Sequence, residues 1–111
     1  MGLFDGILGG MVGAEMIAVV NRLVEKHGGL QGVASQLQQQ GLGATVKSWI
    51  ENGPNQPISP DQVNQAFGSQ SINDLAARAG MTPQELAAAL SAILPTAIDK
   101  ATPGGSLPKS S

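Results

Sequence analysis

Cysteine is absent from this 111-residue chain. That excludes disulfides, thiolate nucleophiles and cysteine-ligated zinc, and it leaves the redox compartment open. Aromatic residues make up 3% of the chain against 41% hydrophobic residues overall. The core must therefore be built from Leu, Ile, Val, Met and many alanines, a composition suited to closely packed helices. Charge is scarce as well: six Lys and Arg stand against eight Asp and Glu, a formal net charge of -2. No general field draws such a chain to nucleic-acid phosphates or an anionic membrane. Nothing basic precedes Arg22, and Asp5 lies in the opening stretch, so a cleaved secretory signal, which needs a basic region first, is not expected. Asp5 and Glu15 interrupt the single candidate for the run of about 20 apolar residues a membrane span requires. The length suits one domain with one core.

What is there is helical periodicity. Leu3, Phe4, Ile7, Leu8, Met11 and Val12 recur at spacings of three and four, and Met16, Val19, Val20, Leu23 and Val24 continue the stripe past a break near Gly13. Lys26, His27 and Gly28-Gly29 supply a cationic helix end and a glycine stop. Leu30, Val33, Ala34 and Leu37 form a second stripe ending at Gly41-Leu42-Gly43, and Val46, Trp49 and Ile50 a third, closed by the loop Asn52-Gly53-Pro54-Asn55-Gln56-Pro57. Ser59-Pro60-Asp61-Gln62 and Thr82-Pro83-Gln84-Glu85 read as capping boxes with proline where no N–H is needed. Between them, Ser71-Ile72-Asn73-Asp74 is expected to open a helix that stops at Gly80. Pro95 is expected to break the last helix or to begin a final turn through Ile98, and the residues after Ala101 read as a tail. No alternating run is long enough to demand a strand.

The chemistry-bearing residues have structural explanations. His27, the sole histidine, sits at a helix end, and Asp61, Asp74 and Glu85 fall in first helical turns, where negative charge is favoured. The glycine clusters lack the Gly-Lys-Ser/Thr ending of a phosphate loop. No catalytic residue, metal site, cofactor or small-molecule substrate is expected, and the chain reads as a non-enzyme. Residues 72–94 have the spacing of a helix-turn-helix, yet Pro83 to Leu94 offers Gln84 alone for reading base edges, and Arg78 is the one basic residue of the pair. Specific nucleic-acid binding is not expected. Trp49, Asn55, Pro57 and Ile58 are candidates for a partner surface, although a core position suits Trp49 better.

The glycines of the first helix are the most unusual feature. Gly2, Gly6 and Gly10 recur every four residues, as do Gly9 and Gly13, beside the apolar stripe. Each interior glycine costs a helix about 1 kcal/mol relative to alanine, so an isolated, solvated helix is disfavoured. Small residues at this spacing let two helix backbones approach closely. Leu3, Phe4, Gly6, Ile7, Leu8, Gly10, Met11 and Val12 are accordingly read as a self-association surface.

The order and spacing of many short pieces resemble the YidB-like family of small bacterial proteins over roughly residues 28 to 108. The pieces are Gly28-Gly29-Leu30, Gly41-Leu42-Gly43, Val46, Ser48-Trp49-Ile50, Gly53, Asn55, Pro57-Ile58-Ser59 and Gln62-Val63. Leu75-Ala76, Gly80, Leu94-Pro95, Thr102-Pro103-Gly104 and Leu107-Pro108 follow. Gln40 and Phe67 depart from the apolar and glycine choices, respectively, that the resemblance suggests. The resemblance implies an all-helical fold and a bacterial cytoplasmic origin, and it carries over no catalytic residue.

The expectations are an all-α bundle of about five to seven short helices without a β-sheet, the 72–94 pair being homeodomain-like. A glycine-rich helical segment should span 1–13, a helical YidB-like domain 14–101 and a Pro/Gly/Ser tail 102–111. The function expected first is self-association into a homo-oligomer or filament through the first helix. An adaptor or membrane-surface protein, cytoplasmic and peripheral to the inner membrane, comes second, and a degenerate helix-turn-helix DNA binder third.

Overall fold

A computed structural model describes residues 13–51, 53–102 and 105. Within them the chain is all-α, with six helices: α1 Ala14–Lys26, α2 Leu30–Gln39, α3 Gly43–Ile50, α4 Pro60–Phe67, α5 Ser69–Ala79 and α6 Pro83–Ala101. The break near Gly13 is where α1 starts, with Gly13 as its N-cap.

Local interactions set most helix ends. After α1, the Gly29 N–H donates to Val24 C=O at 2.8 Å and Gly28 N–H to Glu25 C=O at 3.1 Å, the paired bonds of a Schellman turn. Both glycines have positive φ. Gly80, in the left-handed conformation at φ 70° and ψ 29°, closes α5 the same way, with Met81 N–H on Ala76 C=O at 2.9 Å. The capping boxes form as their spacing predicts at Ser59/Gln62 and Thr82/Glu85, opening α4 and α6.

Two boundaries differ from the sequence reading. Helix α5 begins at Ser69 rather than at Ser71, because Gly68 (φ 87°) both ends α4 and caps α5, accepting from Ile72 N–H at 3.1 Å. Pro95 does not end the last helix, which runs on to Ala101. Proline removes one N–H donor from a helix, while Leu94, Ala97, Ile98 and Ala101 around it are all buried. Burial of a large aliphatic side chain contributes about 1.5–3 kcal/mol, so packing on both sides of Pro95 outweighs the missing bond.

Helix α6 is the hub, packed against α3, α4 and α5, while α1 lies along α5 and α2 along α3. Leu23, Leu30, Leu37, Trp49, Ile72, Leu75, Leu86, Leu90 and Leu94 are the largest fully buried side chains of the core. Buried Ala87, Ala97 and Ala101 keep α6 slim, letting its neighbours come close. Thr102 is buried and donates through Oγ1 to Ile98 C=O at 2.8 Å, fastening the end of α6. Gln40 is exposed at the end of α2, whereas Phe67 is buried.

Candidate functional site

Helices α1 and α5 run antiparallel. Lys26 at the end of α1 pairs with Asp74 in α5, Nζ to Oδ2 at 3.9 Å, and Glu15 at the start of α1 lies opposite Gly80. Between them lies an open groove of about 460 Å³, walled by Ala18, Val19, Leu75 and Ala79 and edged by Glu15, Arg22 and Arg78. A shallower hollow of about 360 Å³ continues it toward Lys26 and Asp74. Val19 and Leu75 belong to the core, and Ala79 packs half-buried against it. So do Met16 and Ile17 of α1 and Met81 beyond α5. The groove is thus an apolar floor with a charged rim. Among the described residues, neither Arg22 nor Arg78 is paired with a carboxylate.

The loop after α3 is tied to the fold by its polar groups. The Trp49 indole is fully buried, and its Nε1–H donates to Gln56 C=O at 2.7 Å. Ser48 Oγ accepts from Gln56 N–H at 2.9 Å and donates to Thr45 C=O at 2.6 Å. Asn55 is half-buried, and its Nδ2 reaches Pro95 C=O and Asp99 Oδ2, each at 3.5 Å. Its Oδ1 is buried without a hydrogen-bond partner among the described residues. Ile58 is in the core and Pro57 is exposed. Of the four residues named for a partner surface, Trp49 and Ile58 therefore face inward, Asn55 faces the C-terminal half of α6, and Pro57 faces solvent. Leu3, Phe4, Gly6, Ile7, Leu8, Gly10, Met11 and Val12, named for self-association, lie outside the described residues.

His27 is occupied structurally. Its Nδ1 lies 3.0 Å from Leu23 C=O, and its ring meets Phe67 edge-on, with centroids 5.1 Å apart at 71°. Phe67, one of the two departures from the family pattern, thus has a local partner. Among the described residues no group of three or more His, Asp and Glu could hold a metal ion, and no helix is long and apolar enough to cross a membrane.

The α5–turn–α6 pair has helix-turn-helix form, with α6 in the recognition position. At its start Thr82 Oγ1 accepts from Glu85 N–H at 3.1 Å, and Glu85 Oε1 accepts from Thr82 N–H at 2.9 Å. These bonds, the one from the Thr82 backbone foremost, hold the Glu85 carboxyl below its ordinary pKa. The exposed positions of α6 up to its last turn are Gln84, Glu85, Ala88 and Ala92. One amide, one carboxylate and two methyl groups give such a helix little to read base edges with.

The sequence matches the YidB-like protein family over residues 1–110. The chain belongs to the YidB-like family. It is 33% identical over 108 residues to the uncharacterised protein YidB of Escherichia coli (strain K12), a match spanning 95% of this chain and 82% of that one. The solved structure of a homeodomain-like protein of unknown function from Shigella flexneri matches the fold with a TM-score of 0.78 at 30% identity. That match covers 95% of this chain and 85% of the other.

The YidB-like match reaches the first 13 residues, further than the pieces from Gly28 onward that carry the resemblance. Many of those pieces are joints of the fold: Gly28-Gly29 closes α1, Ser48 and Trp49 hold the loop, Ser59 and Gln62 cap α4, and Gly80 closes α5. The α1/α5 groove was missed from sequence because its two walls lie more than 50 residues apart in the chain. The weak signal for it was Arg22 and Arg78, a basic residue on each of two amphipathic helices.

Proposed function

We propose that this YidB-like protein is a non-enzymatic self-associating helical protein, whose apolar N-terminal residues pack onto another copy and build a homo-oligomer or a filament. The observation that carries this reading is the apolar surface at the start of α1. Met16 and Ile17 are half-buried, as is Met81, and the adjoining sequence continues the same stripe through Met11, Leu8, Ile7, Phe4 and Leu3. A contact between two identical faces closes as a dimer, whereas a head-to-tail contact propagates. The homeodomain-like description of the structural relative raises nucleic-acid binding, but the exposed face of α6 and the net charge of -2 disfavour it.

The test is light scattering after size exclusion, over a range of concentrations, on the full chain and on one lacking residues 1–13. The full chain should give a mass above the monomer that falls to the monomer on truncation, with Trp49 emission unchanged. Equal monomeric masses would overturn the reading. Vesicle co-sedimentation of the full chain would then test a membrane-surface role for the same residues.

A further inference from the structure

We propose that the α1/α5 groove is the acceptor in this assembly, receiving residues 3–12 of a second copy with Asp5 set against Arg22 and Arg78. The inference rests on the self-association reading and adds the surface that completes it. Three observations support it.

The first is fit in character. The groove has an apolar floor, Val19 and Leu75, with small residues, Ala18 and Ala79, on its walls, so an incoming helix can lie close to the backbone. The donor segment offers the complementary surface, a stripe of Leu3, Phe4, Ile7, Leu8, Met11 and Val12. The second is charge. Arg22 and Arg78 line both the groove, with Glu15, and the adjoining hollow, with Glu25, Lys26 and Asp74; Asp74 pairs with Lys26, while neither arginine is within ion-pair distance of a carboxylate among the described residues. Asp5 is the one charged side chain before Glu15. At 100° per residue it lies beside Leu8 and Val12 at the border of the apolar stripe, placed to meet a charge on a groove edge.

The third is chain connectivity, which decides between a copy's own groove and another's. The stripe keeps helical spacing up to Val12, and α1 begins at Ala14. Gly13 alone separates them, in an extended conformation with φ -69° and ψ 161°. Antiparallel helices need a loop of about two to five residues, so residues 3–12, on the helix that their spacing predicts, would have only Gly13 in which to turn back beside α1. A second copy supplies it without that constraint. Reciprocal exchange gives a closed dimer, and one-way donation a filament.

A charge exchange in the full-length chain tests this by light scattering at several concentrations. Asp5→Arg alone and Arg78→Glu alone should each weaken association about tenfold or more, by placing like charges together. The double variant should recover a clear part of the lost association, the remainder staying lost because Arg22 still faces the new positive charge at position 5. Ala18→Glu, on the exposed groove wall, should weaken association without rescue by Asp5→Arg. Ile7→Asp is the separate check on the parent reading. If Ile7→Asp lowers the mass while Asp5→Arg, Arg78→Glu and Ala18→Glu leave it unchanged, the groove assignment is overturned and self-association stands. If Ile7→Asp also leaves the mass unchanged, both fall. Loss in both charge variants without recovery in the double variant overturns the Asp5 pairing. Arg78 and Ala18 are exposed, so unchanged Trp49 emission is expected throughout.

Discussion

Replacing Gly32 by alanine puts the joint between α1 and α2 to a direct test. Gly32 lies in the first turn of α2, and a Cβ built there would coincide with the His27 carbonyl oxygen at the end of α1. In an isolated helix this change is favourable by up to about 1 kcal/mol. Here the obstruction is backbone, so no side-chain rotation can relieve it. The joint must open, and opening strains the bonds that hold it: His27 N–H to Leu23 C=O at 3.3 Å, Gly29 N–H to Val24 C=O at 2.8 Å and Val33 N–H to Gly29 C=O at 3.1 Å. Overpacking that forces backbone movement costs about 1–3 kcal/mol or more, so Gly32→Ala should destabilise by a net amount on the order of 2 kcal/mol. For a domain of this size that is roughly a 10 °C fall in Tm. The assay is urea unfolding followed by Trp49 emission, since this is the chain's single tryptophan and it is fully buried. Ser35→Ala, exposed in the same helix, is the control and should be neutral or stabilising by a few tenths of a kcal/mol. A Gly32→Ala midpoint equal to or above the parent's would refute the close approach of the two helices.

Trp49→Phe should destabilise by about 1–3 kcal/mol, from lost buried volume and the lost N–H bond to Gln56, measured by circular dichroism in urea; an unchanged midpoint would mean the loop is not held by the indole. Glu85 is held below its ordinary pKa by the capping bonds from Thr82, so its contribution is complete above the unfolded-state pKa and disappears as pH falls through the lower folded-state value. Glu85→Gln keeps an acceptor oxygen but no titration. Its stability should therefore fall less steeply than the parent's on acidification through the carboxylate range, and parallel curves would count against the assignment.

The helices were legible because their ends are short-range events. A capping box needs residues three apart, as at Thr82 and Glu85, and a Schellman turn needs a glycine next to the helix end, as at Gly28 and Gly80. Where local signals compete, the boundary moves: Ser71 offers a helix start, but Gly68 serves two helices at once and sets the start at Ser69. Pro95 carried a strong local veto on helix that distant packing overrode.

The candidate site was less legible. The sequence alone determined the all-α class, the approximate limits of most of the described helices and the unusual N-terminal stripe, because each depends on spacing within a few residues. The tertiary structure decided what no spacing encodes. It laid Arg22 and Arg78 along one groove, aimed Gln36 Nε2 at Ala66 C=O 2.6 Å away and 30 residues along the chain, and turned Trp49 into the core. Which faces meet depends on the summed burial of residues far apart in the chain, and that sum exists only once all six described helices are packed.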